Sequence, residues 1–270
     1  MNLASYIKAI AFDFDGTLID FDYRASDYTR KALNLLEKSD YKISLSSGRP
    51  CFLALKAFQK TFGDYPLDYV FGCNGAEFMD VRKKQTKILY PLSSDDVRYI
   101  GKVIDSDFLS VGIYENETFL VDKIANEKVA KWIKARWLNP KIFDFSKNCI
   151  PRSKIVVLND AADREKEDEY LKTIDLSAYN TCYSTMNCFE ITLKGVTKAK
   201  SIEYLSQLLG CEKKQILSFG DMENDMEMLK ESTGVIMDNA DESLKKQIPF
   251  HTSRVDELGI YEFLANNHLI

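Results

Sequence analysis

From residue 6 to residue 14 apolar side chains occupy both alternating faces, the pattern of a strand buried on two sides in a parallel sheet. The run ends at Asp15-Gly16-Thr17, a turn sequence. Over 26–38, Tyr28, Ala32, Leu35 and Leu36 fall at helical spacing, with Ser26 or Asp27 available as N-cap. A strand at 42–45 closes in Ser46-Ser47-Gly48-Arg49. Pro50 suits the first turn of a helix over 50–61. A third strand, 69–73, ends in Asn74-Gly75. Strand and helix in alternation predict right-handed βαβ units.

After Met79 the pattern changes. Strands are expected at 87–92, 109–114, 118–121, 154–158 and 180–184, and helices at 94–105, 126–138 and 163–175. Strand pairs punctuated by single helices suggest an α+β unit with a mixed or antiparallel sheet. From Phe189 the first pattern returns. It gives a strand to Leu193, a helix at 198–209, a buried strand at 215–219, a helix at 223–231, a strand at 234–237 and a last helix near 255–265. One α/β domain is thus interrupted by another.

The most specific local signal is Ala9-Ile10-Ala11-Phe12-Asp13-Phe14-Asp15-Gly16-Thr17-Leu18. Ligands of parallel α/β sheets collect beyond the carboxyl ends of the strands, and here that end holds two carboxylates at i and i+2. A plain turn, with Gly16 supplying positive φ and Asp13 capping the backbone, is the structural alternative. The chemical reading is phosphoryl transfer through an aspartyl phosphate, with Asp13 as nucleophile and Asp15 as acid and base. A carboxylate roughly 4 Å from a phosphate oxygen is repelled by about 4 kcal/mol per charge pair at an effective dielectric near 20. The chain must therefore supply a metal-binding carboxylate set and a cationic side chain.

Both occur in the returning segment. Phe219-Gly220-Asp221-Met222-Glu223-Asn224-Asp225 follows a buried strand, which puts Asp221 at a strand end and Asn224 and Asp225 in the next turn. Hard oxygen donors of this kind suit magnesium; first-turn acids complementing a helix dipole are the structural alternative. Lys198, in Lys194-Gly195-Val196-Thr197-Lys198-Ala199-Lys200, enters a helix at the end where a cation opposes the macrodipole. Lys194 and Lys200 compete for the same role. Ser47-Gly48-Arg49 offers a hydroxyl and backbone N–H groups to phosphate oxygens. Asn74-Gly75-Ala76 is an Asn-Gly turn or, in this context, a loop lining the site.

With these motifs in this order, the chain resembles the Cof-type subclass IIB phosphatases of the haloacid dehalogenase (HAD) superfamily over nearly its full length. The resemblance implies an α/β fold, a HAD-like Rossmannoid parallel-sheet core of residues 1–80 and 188–270 carrying an inserted α+β (type 2B) cap of residues 81–187. It further implies Asp13, Asp15 and Lys198 as catalytic residues. Gly16, Thr17, Ser47, Gly48, Arg49, Asn74, Lys198 and Asn224 would bind the substrate phosphate. Mg2+ would be held by Asp13, Asp221 and the backbone carbonyl of Asp15, with Asp225 behind them. The implied activity is hydrolysis of a small phosphorylated metabolite, a sugar phosphate or a phosphorylated cofactor. A phosphomutase of the phosphomannomutase type is one alternative, for which Lys123, Lys131, Lys134, Arg136 and Arg152 offer cations in the cap. A non-catalytic phosphate-binding module is the other. Leu193, Ala199 and Asp238 depart from the family pattern, and Asp238 adds a carboxylate near the strand ends.

Composition narrows the partners. With 36 basic against 41 acidic residues the net charge is −5, so no global positive field exists to hold nucleic acid or an anionic membrane. The six cysteines have no C-x-x-C spacing, and histidine occurs only at 251 and 268, which leaves carboxylates and lysines to carry the chemistry. The first residues lack a basic stretch followed by a long apolar run, and a cytoplasmic location is expected. Monomer and homodimer both remain open, and the cap aromatics Tyr114, Trp132 and Trp137 are expected to pack in the cap's own core.

Overall fold

The computed structural model describes residues 3–65, 67–147 and 149–270. Its strands, in chain order, are β1 (Ala9–Phe12), β2 (Lys42–Ser46), β3 (Tyr69–Gly72), β4 (Glu77–Asp80), β5 (Gln85–Ile88), β6 (Ser110–Glu115), β7 (Thr118–Val121), β8 (Asn139–Ile142), β9 (Ile155–Leu158), β10 (Tyr179–Thr185), β11 (Cys188–Leu193), β12 (Ile216–Gly220), β13 (Thr233–Met237) and β14 (Phe250–Thr252). The chain divides into two compact units, 1–87 with 197–270, and 88–196.

The first unit is built on the sheet β14-β13-β12-β1-β2-β3-β4-β5. β14 through β3 run parallel, and β4 is antiparallel to β3. β1 lies between β12 and β2, with Phe12 opposite Phe219 on one side and Leu45 on the other. Every residue of β1 and of β12 is buried, as expected for strands covered on both faces. Phe12 and Phe219 stack at 5.4 Å within a core that includes Ile10, Leu45, Phe58, Val235 and Leu264.

Local chemistry sets the helix starts. Ser26 caps helix Asp27–Leu36 by accepting from the Thr29 N–H, and Pro50 precedes helix Cys51–Phe62. The last helix begins at Ile260, five residues beyond the expected start, because Gly259 enters it at φ +51°. The expected helix at 223–231 divides into a 3-10 turn, Glu223–Asp225, and an α-helix, Met226–Glu231.

The second unit carries the sheet β10-β11-β9-β6-β7-β8. Its pairs are antiparallel except β7 with β8. Leu92, Val97, Ile100, Val111, Ile155, Val157 and Ile191 meet in its core. β11, whose residues 189–193 were expected in the returning core, pairs with β9 and β10 here. The strand expected at 87–92 is β5, placed earlier. Tyr114 and Trp132 both pack against Phe119, whereas Trp137 is 43% exposed. Among the cations, Lys123 faces Asp105 and Asp122, Lys131 faces Glu127, Arg152 pairs with Glu115, and the Arg136 guanidinium lies 3.9 Å from the Trp132 ring centre. Among the described residues no helix is long and apolar enough to cross a membrane.

Candidate active site

The carboxyl ends of β1 and β12 lie side by side, where strand order reverses and parallel α/β sheets bind their ligands. Asp13 directly follows β1 and donates its N–H to the Phe219 carbonyl at 3.0 Å. Asp221 directly follows β12. The site is therefore assembled by sheet register rather than by proximity in the chain.

Asp13, Asp221 and Asp225 are buried, and one carboxylate oxygen from each lies within 4.8 Å of the others. Lys198, 2% exposed, inserts its ammonium between two of them, 2.5 Å from Asp13 Oδ1 and 2.6 Å from Asp225 Oδ1. The other Asp225 oxygen accepts the N–H groups of Asp221 and Met222 at 3.1 and 3.0 Å, so Asp225 ties the lysine to the strand end. Lys194 and Lys200 lie elsewhere: the first donates to the Ser177 carbonyl, and the second pairs with Glu203.

Three buried carboxylates against one ammonium leave an excess of negative charge, and the proton affinities record it. Burial raises the Asp13 carboxyl well above its usual range; Lys198 opposes this, and Asp225 and Asp221 add to it. Burial, with the Asp225 charge second, pushes Asp221 up to about 7. Burial alone would lower Lys198, but Asp13 and Asp225 outweigh it and hold the ammonium above its ordinary value. A hard divalent cation meets this donor chemistry, and Asp13, Asp221 and Asp225 are the residues that could hold one.

Asp221 is fixed from two sides. Thr17 Oγ1 donates to Oδ1 at 3.3 Å, and Asn239 Nδ2 donates to Oδ2 at 3.1 Å and to the Gly16 carbonyl at 2.9 Å. Gly16, at φ +88°, is required at this turn because a Cβ there would collide with the Asp221 carboxylate. Asn239 was not among the residues singled out from sequence. Its signal was its position just after β13, another parallel strand end. Neighbouring Asp238 pairs with Lys245.

Asp15 is turned toward Arg49, whose guanidinium forks onto it with Nε to Oδ2 at 3.1 Å and an Nη2 to Oδ1 at 2.6 Å. Ser47, 2% exposed, accepts the Arg49 N–H at its Oγ at 3.1 Å. The Asn74 N–H donates to the Ser47 carbonyl at 3.0 Å, and the Cys73 N–H to the Arg49 carbonyl at 2.9 Å, which joins the loops after β2 and β3. Asn74 holds φ +55°. Its Oδ1 is buried without a hydrogen-bond partner and lies beside Gly48, where a Cβ would come to 3.4 Å from it. Asn224 is exposed on its turn.

A buried lysine between aspartates at the ends of two parallel strands is an arrangement suited to phosphoryl groups, and the chain's relatives are phosphatases. The family of haloacid dehalogenase-like hydrolases matches residues 10–264, and the chain belongs to it. It is a HAD-type phosphoric monoester hydrolase. A putative phosphatase of Buchnera aphidicola subsp. Baizongia pistaciae is 26% identical over 264 residues, which cover 93% of this chain and 96% of the relative. An HMP-PP phosphatase of Serratia proteamaculans is 24% identical over 90% of this chain and 88% of its own. The solved structure of the HAD subclass IIB sugar phosphatase BT4131 shares the fold, with a TM-score of 0.77 over 97% of this chain and 100% of that one at 24% identity.

Proposed function

We propose that the protein is a magnesium-dependent phosphatase of a small phosphorylated metabolite, in the sugar phosphate or phosphorylated cofactor class, acting through an aspartyl phosphate on Asp13. The observation that carries this reading is the Lys198 ammonium 2.5 Å from Asp13 Oδ1, beside buried Asp221. The names of the HMP-PP phosphatase and sugar phosphatase relatives support a small substrate.

Asp13 attacks phosphorus as the bond to the leaving oxygen breaks, and Asp15 gives that oxygen its proton. Asp15 then takes a proton from the water that attacks phosphorus, which releases inorganic phosphate and restores Asp13. Arg49 holds Asp15 in place for both transfers. Lys198, Ser47, Asn74, Asn224 and the loops of Thr17 and Gly48 receive phosphate oxygens, whereas the Gly16 N–H is held by the Ile19 carbonyl at 2.7 Å. Asp13, Asp221 and the Asp15 carbonyl, with Asp225 behind them, would hold magnesium, which would supply the positive charge that lets a carboxylate approach a phosphate. Substrate selection is assigned to the inserted unit, expected from sequence as a cap of residues 81–187 and found as the compact unit 88–196.

The test is phosphate release from a generic aryl phosphate. Release is expected with magnesium, and its loss on chelation and in Asp13→Asn. Full turnover by Asp13→Asn would refute the nucleophile assignment. A screen of phosphorylated metabolites then identifies the substrate.

A further inference from the structure

The loop that leaves the nucleophile strand carries two large side chains that the chemistry above does not use. Phe21 is 68% exposed and Tyr23 64%. Tyr23 also holds φ +61°, a left-handed conformation that a bulky L residue seldom adopts. Aspartates tolerate that conformation better, and Asp20 and Asp22 stand nearby, yet the chain places the tyrosine there. The surroundings enforce it. Asp20 N–H donates to the Arg24 carbonyl at 2.9 Å, and Tyr23 N–H to the Asp20 carbonyl at 3.0 Å. Asp20 Oδ1 accepts from the N–H groups of Asp22 and Arg24 at 2.9 and 2.8 Å. A closed, over-determined loop that maintains an unfavourable φ points to function.

Its position says which. The Arg49 guanidinium that forks onto Asp15 lies near two rings, 5.5 Å from the centre of Phe14 and 5.7 Å from that of Tyr23. The Tyr23 ring is thus one side chain away from the carboxylate assigned to the leaving oxygen. Asp20 Oδ1 is turned inward onto two N–H groups of its own loop, and Asp22 faces Arg24 at 3.7 Å. The exposed Tyr23 ring is the apolar surface that the loop sets beside Arg49.

We propose that Tyr23 forms a leaving-group subsite, and that the preferred substrates are phosphate esters whose alcohol carries a planar aromatic or heteroaromatic ring. The ring of the alcohol stacks on Tyr23 while its oxygen faces Asp15. The assignment rests on the phosphatase reading above and narrows its substrate class. Offset or edge-to-face ring pairs are the favoured geometries for such a contact.

The experiment compares kcat/KM for benzyl phosphate and propyl phosphate, two primary alkyl esters that differ in the ring, using the full chain with magnesium. The unaltered protein is expected to favour the benzyl ester. Tyr23→Gly, which accepts the positive φ freely, is expected to lower the benzyl-to-propyl ratio about tenfold, the factor carried by a strong ring contact, with Tm unchanged or higher. Tyr23→Phe keeps the ratio. An unmoved ratio in Tyr23→Gly, or an equal fall on both esters, overturns the subsite while leaving the phosphatase reading intact. Release from neither ester by the unaltered protein overturns the phosphatase reading and the subsite with it.

Discussion

The ammonium of Lys198 and the carboxylate of Asp13, 185 residues apart in the chain, meet at 2.5 Å where neither residue is more than 5% exposed. The Lys198 ammonium also lies 2.6 Å from Asp225 Oδ1. Removing one partner of a buried ion pair leaves the other charge uncompensated, at about 3–5 kcal/mol. Lys198→Ala is therefore expected to lower the unfolding free energy by an amount in that range, read from urea titration with a chelator present. Phosphate release should be lost as well. A surface role for Lys198 would leave both within error.

Gly16 links strain to geometry. A side chain at φ +88° costs about 1–3 kcal/mol, and its Cβ would displace the Asp221 carboxylate. Misplacement of a reacting group by about 1 Å costs on the order of 10²-fold in rate. Gly16→Ala is expected to lose at least that factor in kcat/KM, together with a fall in Tm. Near-normal kinetics would mean that Asp221 can move without consequence.

The parts of the site legible in the sequence were those that local pattern determines. β1 and β12 are apolar at nearly every position because both faces are covered, so their ends, and the acids following them, could be placed in advance. The unfavourable place of Lys198 at a helix entrance favoured it, with Lys194 and Lys200 still competing, and only their contacts with Ser177 and Glu203 remove those two. What could not be read was set by partners distant in sequence: the Arg49 fork on Asp15, and Asn239 bridging Gly16 and Asp221. β5 was expected at 87–92 but lies at Gln85–Ile88, and β8 was missed, for a different reason. Every residue of each is exposed, so no alternation of apolar and polar positions marks them. β11 was placed with the wrong sheet because a buried strand reads alike in either unit, and pairing with β9 and β10 decides the matter.

Arg49 separates two roles by kinetics. Its guanidinium is committed to Asp15 through two nitrogens, a geometry that an ammonium cannot reproduce. If Arg49 positions Asp15, Arg49→Ala lowers kcat by about 10²-fold with little change in KM, and Arg49→Lys recovers only part of it. A rise in KM with kcat preserved would instead place Arg49 on the substrate phosphate.

Glu167 gives a pH dependence outside the catalytic cluster. It is fully buried, its Oε2 accepts from Asn159 Nδ2 at 2.7 Å, and its Oε1 has no partner. Burial pushes its carboxyl from 4.5 up to about 7, against the opposing effects of Tyr183 and Arg164. The folded form therefore holds a proton that the unfolded chain releases. The associated stability is fully present below about pH 4.5 and is lost as pH rises through about 7, a change on the order of 3 kcal/mol. Urea titrations at pH 5 and pH 8 are expected to show a lower midpoint at pH 8. Glu167→Gln keeps an oxygen for Asn159 and should reduce the difference, with Asp13 and Asp221 supplying what remains; an undiminished difference in the variant would assign it wholly to other groups.

Asp13→Asn sets stability against function. In the absence of metal, Asp13, Asp221 and Asp225 share one ammonium, and their mutual repulsion contributes to the raised proton affinities of Asp13 and Asp221. The substitution removes one of the three charges and leaves Lys198 its contact with Asp225 at 2.6 Å. With a chelator present, Asp13→Asn should melt at a higher temperature than the unaltered protein while releasing no phosphate under any condition. Magnesium should reverse that order. A ligand at about 100 times its Kd stabilises the folded state by about 2.7 kcal/mol, several degrees for a protein of this size, and the variant has lost a carboxylate that would hold it. Melting curves with and without magnesium therefore report on the metal site independently of turnover. A variant that gains as much from magnesium as the parent would remove Asp13 from the ligand set, whatever its effect on catalysis.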